Sequence, residues 1–356
     1  MNVERQGRRM TKTTPSTLPF SSKKRRMGGA IFLGFIILLG WSLPAEAQPL
    51  GMMRSFSGEL GNEAPMLQYT ATGFPGRAVK GQQDKDFQML ENKVLFTVPM
   101  SQSKEHEWLL TGRMTAQSIR TQALLPSTAE AFPENLWNLG FGTAYRKRFD
   151  GGWIGGAAID LGSASNKPYY SMDETTVSVN LFARIPHAGQ NAWLLLLNYN
   201  NNREFLRHVP IPGLGYMFQK NKQYQIAIGV PFIFGEIRPW GGDFSMTFAY
   251  LPIRTVHGSV SYDVRKDLSL YGSFDWGNDE FFRAERTEKN KRLFYYEKRL
   301  TAGIRYQFNR HCFVNVGGGY AFDRMYFEGE DYSDRDFNRL DIEDGPFARV
   351  QIGLRF

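Results

Sequence analysis

Apolar and polar residues alternate with a period of two through most of this chain, and that pattern constrains the fold more than any motif does. Trp108, Leu110, Gly112, Met114 and Ala116 form one face, and Glu107, Thr111, Arg113, Thr115 and Gln117 the other. Tyr224, Ile226, Ile228, Val230 and Phe232 repeat the pattern. So do Phe244, Met246, Phe248 and Tyr250, then Val256, Val260, Tyr262 and Val264, then Leu268, Leu270, Phe274 and Trp276. Successive strand side chains point to opposite faces, so a two-residue period is the mark of a strand with one greasy and one wet side. Similar segments lie near 65–72, 87–98, 136–147, 152–161, 175–185, 192–200, 213–219, 294–308 and 312–323. The chain is read as all-β.

The alternation runs to the last residue. Val350, Ile352, Leu354 and Phe356 are apolar, while Arg349, Gln351, Gly353 and Arg355 lie between them. A terminal strand of this kind closing on Phe resembles the assembly signal of bacterial outer-membrane β-barrel proteins. The resemblance implies barrel-assembly machinery as a partner and an outer leaflet of lipid and lipopolysaccharide around the wall. A soluble sandwich strand alternates in the same way. Three features favour the membrane: apolar faces nearly free of charge, aromatics such as Trp108, Trp153, Trp193, Tyr199, Tyr250 and Trp276 near strand ends, and links of two length classes.

The N-terminus reads as an export signal. Lys23-Lys24-Arg25-Arg26 precedes an apolar stretch from Ala30 to Leu43, and Ala45-Glu46-Ala47 supplies the small-x-small cleavage pattern, placing the cut after Ala47. The apolar stretch is shorter than the roughly 20 residues of a spanning helix. Residues 1–47 carry eight of the 43 Lys/Arg and two of the 35 Asp/Glu, so the formal charge of +8 falls to +2 once they are removed. The basic balance therefore gives no reason to expect nucleic acid as a partner. Cys312 is the one cysteine, which excludes an intramolecular disulfide. Residues 48–64 read as a flexible periplasmic lead-in, and 65–356 as one barrel domain.

Short links (148–151, 187–190, 219–222, 265–267, 309–310) alternate with long ones (119–135, 162–174, 201–211, 277–293, 324–345). Outer-membrane barrels pair short periplasmic turns with long outside loops. Counting back from Phe356 and forward from 65 gives opposite directions for 255–264, so one strand is miscounted between about 200 and 255. Either 243–264 is one long strand bulged at Pro252, which gives 14 strands, or 231–238 is an extra strand, which gives 16. The expectation adopted is a single antiparallel transmembrane barrel of about 14 strands, within a range of 12–16.

Pro210-Ile-Pro-Gly-Leu-Gly-Tyr216, Gly229-Val-Pro231 and Leu251-Pro252 resemble an uncharacterised family of outer-membrane barrels known only as a domain of unknown function. That resemblance implies a barrel and brings no activity. His257-Gly-Ser259 resembles the His-x-Ser pair of outer-membrane phospholipases and lipid A deacylases. A spacing of two puts imidazole and hydroxyl on one face, as proton transfer between them needs. The orienting acid is at neither Asp263 nor Asp275 by the family's spacing, and Val260-Ser261 stands where the phospholipase pattern has Asn-Gly, so no residue is taken as catalytic. Asp334-x-Asp336-x-Asn338 begins like a calcium loop, but Arg339 replaces the required Gly and no Glu closes the frame. No cofactor or metal site is expected.

The expected lumen face carries Glu107, Arg113, Arg184, Gln223, Gln225, Asp243, His257, Asp263, Asp275, Arg299, Arg305, Gln307, Arg349 and Gln351. Such a set either lines a watery pore for small polar solutes or cross-pairs into a closed network. Three functions follow in that order: a pore, a closed structural or surface-interaction barrel with functional outside loops, and a lipid hydrolase at His257 and Ser259.

Overall fold

The computed structural model describes residues 56–356 except 204, 205, 207, 222, 240, 241 and 253. The expected export signal, with Ala45 and Ala47, lies outside the described residues, as do residues 48–55.

Seventeen strands form one sheet: β1 (Met66–Ala78), β2 (Asp86–Gln102), β3 (His106–Thr121), β4 (Asn135–Arg148), β5 (Ile154–Ser165), β6 (Thr175–Pro186), β7 (Ala192–Asn200), β8 (Ile211–Lys220), β9 (Tyr224–Val230), β10 (Ile233–Ile237), β11 (Phe244–Leu251), β12 (Thr255–Arg265), β13 (Leu268–Phe281), β14 (Arg292–Asn309), β15 (Cys312–Gly329), β16 (Arg339–Ile342) and β17 (Gly345–Arg355). From β1 to β16 each strand pairs antiparallel with the next, and β17 pairs with both β15 and β1. The register from Met66↔Arg355 to Gly73↔Ala348 closes the ring. β16 pairs with the outer end of β15 and bridges to Val79 just past β1, above the ring that β15, β17 and β1 close, so the barrel wall has 16 strands with one outside it. Closure leaves no sheet edge, which is the condition for a β-structure to cross a hydrocarbon layer.

The expected count of about 14 is corrected to 16. β10 pairs with β9 and β11, and β11 is separated from β12 where the Arg254 amide donates back to the Leu251 carbonyl (3.2 Å). β10 has 5 residues and Gly235 at its centre, too short for a periodic pattern to show. With β10 in place, the counts from the two ends agree on the direction of β12.

Side chains alternate as the period requires. Tyr69, Trp108, Phe141, Ile159, Leu181, Leu195, Leu214, Ile228, Val260, Leu300, Ile304, Val316 and Ile352 are exposed on the outer face. An apolar surface of this extent does not persist in water and is the belt of a membrane protein. Aromatic groups collect at the rim that carries the C-terminus. Phe149 stacks on Trp153 at 4.1 Å, Trp193 meets Tyr216 edge-on at 4.9 Å, and the Trp108 indole donates to Thr143 Oγ1 at 2.6 Å. The links at this rim are short (103–105, 149–153, 187–191, 221–223, 238–243, 266–267, 310–311), and most at the other rim are long. The short-turn rim faces the periplasm.

The inner wall is shaped by glycine at one crowded place. Gly303 and Gly317 lie side by side, and the Tyr271 ring rests across both; a Cβ at either position would collide with it.

Candidate functional site

The interior of the barrel is the candidate site, and its wall is of two kinds. On β1–β5 and β13–β17 the inward residues are charged or hydroxylated through the middle of the wall and apolar toward the outer mouth. Glu107 pairs with Arg146 (2.8 Å), and Arg113 with Asp160 (2.7 Å). Glu91 bonds both Lys93 and Arg299 at 3.2 Å, and Arg299 also meets Glu297. Glu107, Arg146, Glu91 and Arg299 are buried. These charges leave water, and their mutual contacts offset the loss of hydration. Arg113 reaches its partner because Gly140 and Gly162 leave room for its guanidinium.

Above this layer Phe74, Phe87, Met89, Ile119, Leu136, Phe281, Leu293, Tyr295, Tyr326 and Phe347 form an apolar core with Ala123, Leu125 and Phe132 of the 122–134 loop. Phe132 packs edge-on against Phe87 (5.5 Å) and Tyr326 (4.9 Å). That loop is further tied by Ser127 to Glu328, and Glu130 to Arg283.

β6–β11 differ. Their inward residues Phe182, Ala192, Leu194, Leu196, Ile211, Met217, Ala227, Phe234, Ala249 and Leu251, together with Phe232, form a second apolar core inside the barrel. At its centre sits Phe56, fully buried, 6.0 Å from Phe182, 6.1 Å from Phe232 and 6.4 Å from Phe234. Residues 56–64 therefore run along the inner periplasmic rim. The Glu63 amide donates to Gln102 Oε1 (3.1 Å), the Gly61 amide to Glu107 Oε2 (3.2 Å), and Arg148 to the Gly58 carbonyl (2.9 Å). No wall strand supplies the tip of this segment, so it is a plug held by noncovalent contacts.

The two cores lie on either side of a crossing at the outer mouth. Ser165, at the end of β5, and Phe282, after β13, form a parallel bridge. The Phe282 amide donates to the Ala164 carbonyl (2.8 Å), and the Asn166 amide to the Phe282 carbonyl (3.2 Å). β5 and β13 are diametrically opposite in the ring, so this bridge splits the outer lumen into two compartments. Phe282 is clasped by Arg286 (4.5 Å) and Arg292 (4.9 Å).

Near the second compartment's outer mouth, Glu280 takes Arg254 (2.7 Å) and Arg292, and Arg203 bonds Asn198. Burial and the nearby Arg254 charge pull Arg203 down to about 10, which still leaves it cationic at neutral pH.

The remaining sequence-selected residues are placed as follows. Arg184 lies against Gly58 and donates to the Gln190 carbonyl (3.1 Å). Gln225 reaches Met217 Sδ (3.4 Å), Asp263 accepts from Ser269 (2.6 Å), and Arg305 stacks on Phe313 (4.0 Å). Arg349 faces inward opposite Thr72 and Gly317, and Gln351 bonds Asn315 (3.1 Å). Gln307 donates to the Asn309 carbonyl (2.5 Å), while Gln223 and Asp243 lie in periplasmic turns. Val350 and Ile352 face lipid, and Phe356 is exposed at the periplasmic rim, where its amide donates to the Pro65 carbonyl (3.0 Å). Sequence reasoning missed Arg146, Asp160, Glu91, Lys93 and Glu297. Strand parity marks each as inward once its strand is placed. It missed Phe56 too, which lies in no alternating segment.

His257 Nδ1 lies 2.6 Å from Asp275 Oδ1, directly across the β12–β13 ladder. The acid that family spacing did not supply is thus supplied by register. Ser259 Oγ is 2.6 Å from Thr247 Oγ1, and Ser245 Oγ is 2.8 Å from Ser261 Oγ. Both rungs face the lumen, away from the lipid a hydrolase would attack.

A closed, even-stranded antiparallel barrel with an apolar belt, an aromatic rim and short turns beside its C-terminus defines a bacterial outer-membrane β-barrel protein. No family model matches the sequence, and no curated protein is significantly similar to it. Solved structures similar to it include an outer-membrane channel from Pseudomonas putida F1 (11% identity, 84% of this chain and 98% of that one, TM-score 0.36). Others are the Pseudomonas putida toluene transporter TodX (10%, 83% and 90%, 0.38) and the translocator domain of the autotransporter NalP from Neisseria meningitidis (10%, 88% and 96%, 0.30). At these scores the likenesses carry no argument about what passes through this barrel.

Proposed function

We propose that this protein is a gated outer-membrane channel for small polar solutes, shut at rest. The observation that carries this reading is Phe56: the interior of the second compartment is filled by a chain segment that can leave without breaking the wall. With the plug withdrawn, a path runs from the periplasmic mouth along the hydroxyl-bearing faces of β11–β13 (Ser245, Thr247, Ser259, Ser261, Ser273) past the His257–Asp275 pair. It ends at Arg203, Arg254 and Arg292 around Glu280, a cationic mouth that favours small anions.

Planar-bilayer recording of the chain lacking residues 48–60, beside the full mature chain, tests this. Conductance rising several-fold on truncation, with anion selectivity, is the expected result. Silence from both folded proteins would overturn it. That silence would favour the second reading, a closed structural or interaction barrel, for which the Ser165–Phe282 crossing and the ion-paired first compartment speak. Hydrolysis at His257 and Ser259 is the weakest reading, because both face the lumen.

A further inference from the structure

The wall is not of one height. A membrane-spanning strand, tilted by about 45°, needs roughly 9–11 residues to cross the hydrocarbon. β8 has 10 residues and β12 has 11, but β9, β10 and β11 between them have 7, 5 and 8. Their periplasmic ends are level in register, since Ile237 pairs with Tyr224 and Met246. Against β8 the shortfall is at the outer side, since Val230 pairs with Leu214 while β8 runs on to Ile211, and β10 stops two residues below β9; β11 and β12 end together there, Leu251 pairing with Thr255. There the rim consists of Val230-Pro231-Phe232-Ile233 and Leu251-Pro252, with no charge before Arg254, whose guanidinium turns toward Glu280 on β13. The tight β9–β10 turn closes its own backbone, the Gly229 amide donating to the Phe232 carbonyl at 2.8 Å. This is the form a rim takes when it sits within hydrocarbon and no water is present to satisfy it.

The outer half of the same low wall is apolar on its inner side as well, while Gln225, Glu236, Ser245 and Thr247 lie nearer its periplasmic end. Ala227, Phe234, Ala249 and Leu251 face inward beneath the rim, continuous with Phe182, Leu194 and Leu196. At this level the Phe232–Phe56 pair closes the second compartment. Phe56 occupies a site built for hydrocarbon.

We infer that the low wall at β9–β11 is a lateral doorway through which membrane hydrocarbon, an acyl chain of the outer leaflet, enters the second compartment and takes the place of Phe56. This rests on strand length and rim chemistry and stands apart from the aqueous channel proposed above.

The test uses the mature chain with Cys312→Ser and one environment-sensitive label, at Phe232→Cys or at Leu251→Cys on the low wall. References are Ser273→Cys, inward behind the 14-residue β13, and Val260→Cys, facing lipid. The proteins are reconstituted in phospholipid bilayers brominated on the acyl chains, with heat-modifiable mobility as the check of folding. In the Phe56→Ala background, labels at 232 and 251 should be quenched at least half as strongly as at 260, and several-fold more than at 273. Inserting four residues into the β9–β10 turn, to raise the rim, should remove that quenching. Quenching at 232 and 251 no greater than at 273 overturns the doorway. Conductance from the same preparations separates the two ideas: current without quenching leaves the channel and removes the doorway, and quenching without current does the reverse.

Discussion

Ser165 and Phe282 are joined as a parallel bridge across the outer mouth, although the strands they extend stand on opposite sides of the ring. The strap that makes this crossing, 282–291, is pinned by Arg283–Glu130 (2.8 Å), Arg286–Glu174 (2.5 Å), Lys289–Asp173 (2.7 Å) and Lys167–Glu285. The hydrogen bond from Arg283 holds Glu130 below its ordinary 4.5, and that from Lys289 holds Asp173 below 3.8. A carboxylate lowered by folding stabilises the folded form fully above its unfolded value and loses that contribution as pH falls through the folded value. Protection of the Phe282 amide against hydrogen exchange, corrected for intrinsic rate, should therefore be flat from neutral pH to about pH 5 and fall below it. Protection unchanged into strong acid would count against a pinned strap.

The Arg113–Asp160 pair gives a stability prediction. Asp160→Ala leaves Arg113, side chain 4% exposed, without its carboxylate above Gly140 and Gly162. Breaking one side of a buried pair costs roughly 3–5 kcal/mol. Replacing both, Arg113→Met with Asp160→Ala, should recover much of that loss in denaturant unfolding from detergent. Equal losses in the single and double variants would show that the pair does not act as a unit.

At Gly303 the prediction is steric. Gly303→Ala places a methyl in the space of the Tyr271 ring and should cost about 1–3 kcal/mol, the usual penalty of overpacking. In a Tyr271→Ala background the same change should cost little. Additive effects of the two substitutions would mean that the ring moves aside freely.

For the hydrolase reading, lumen-facing His257 and Ser259 predict no lipid phenotype. Ser259→Ala should leave outer-membrane lipid composition and lysophospholipid content unchanged. Altered lipid species in that strain, restored by the wild-type chain, would reverse the assignment.

The exposed C-terminal ring of Phe356 is proposed as the group read during assembly. Phe356→Ala removes no buried contact of the barrel, so it should slow insertion severalfold while leaving the melting of the assembled protein unchanged. Deleting 345–356 is different in kind, because it removes the strand that joins β15 to β1.

The wall was legible in the sequence because alternation reports directly on strand faces, and the 14-residue β13 or the 18-residue β14 offers many periods to read. β10 offers barely two. Trp193-Leu-Leu-Leu-Leu197 is apolar on both faces, which is how a strand between lipid and an apolar lumen must read. Taken as one more lipid-facing strand, it hid the division of the interior. The assumption that the inner face is polar throughout therefore fails on β6–β11. Glu107 was recognisable as inward, but not that Arg146 neutralises it, since pairing depends on cross-strand register. The Asp275 partner of His257 was obscured for the same reason: sequence distance says little about neighbours across a ladder. Phe56 and the Ser165–Phe282 bridge belong to segments without periodicity, where only tertiary contact decides the conformation.

The uneven height of the ring also acts on the bilayer. Strands β9–β11 are much shorter than β1–β3 across the ring, and matching a thin side and a thick side at once means either pinching the lipid locally or leaning. The cylinder should therefore stand tipped from the membrane normal, with its shallow flank the cheapest place for a neighbouring protein or a thinner patch of membrane to gather.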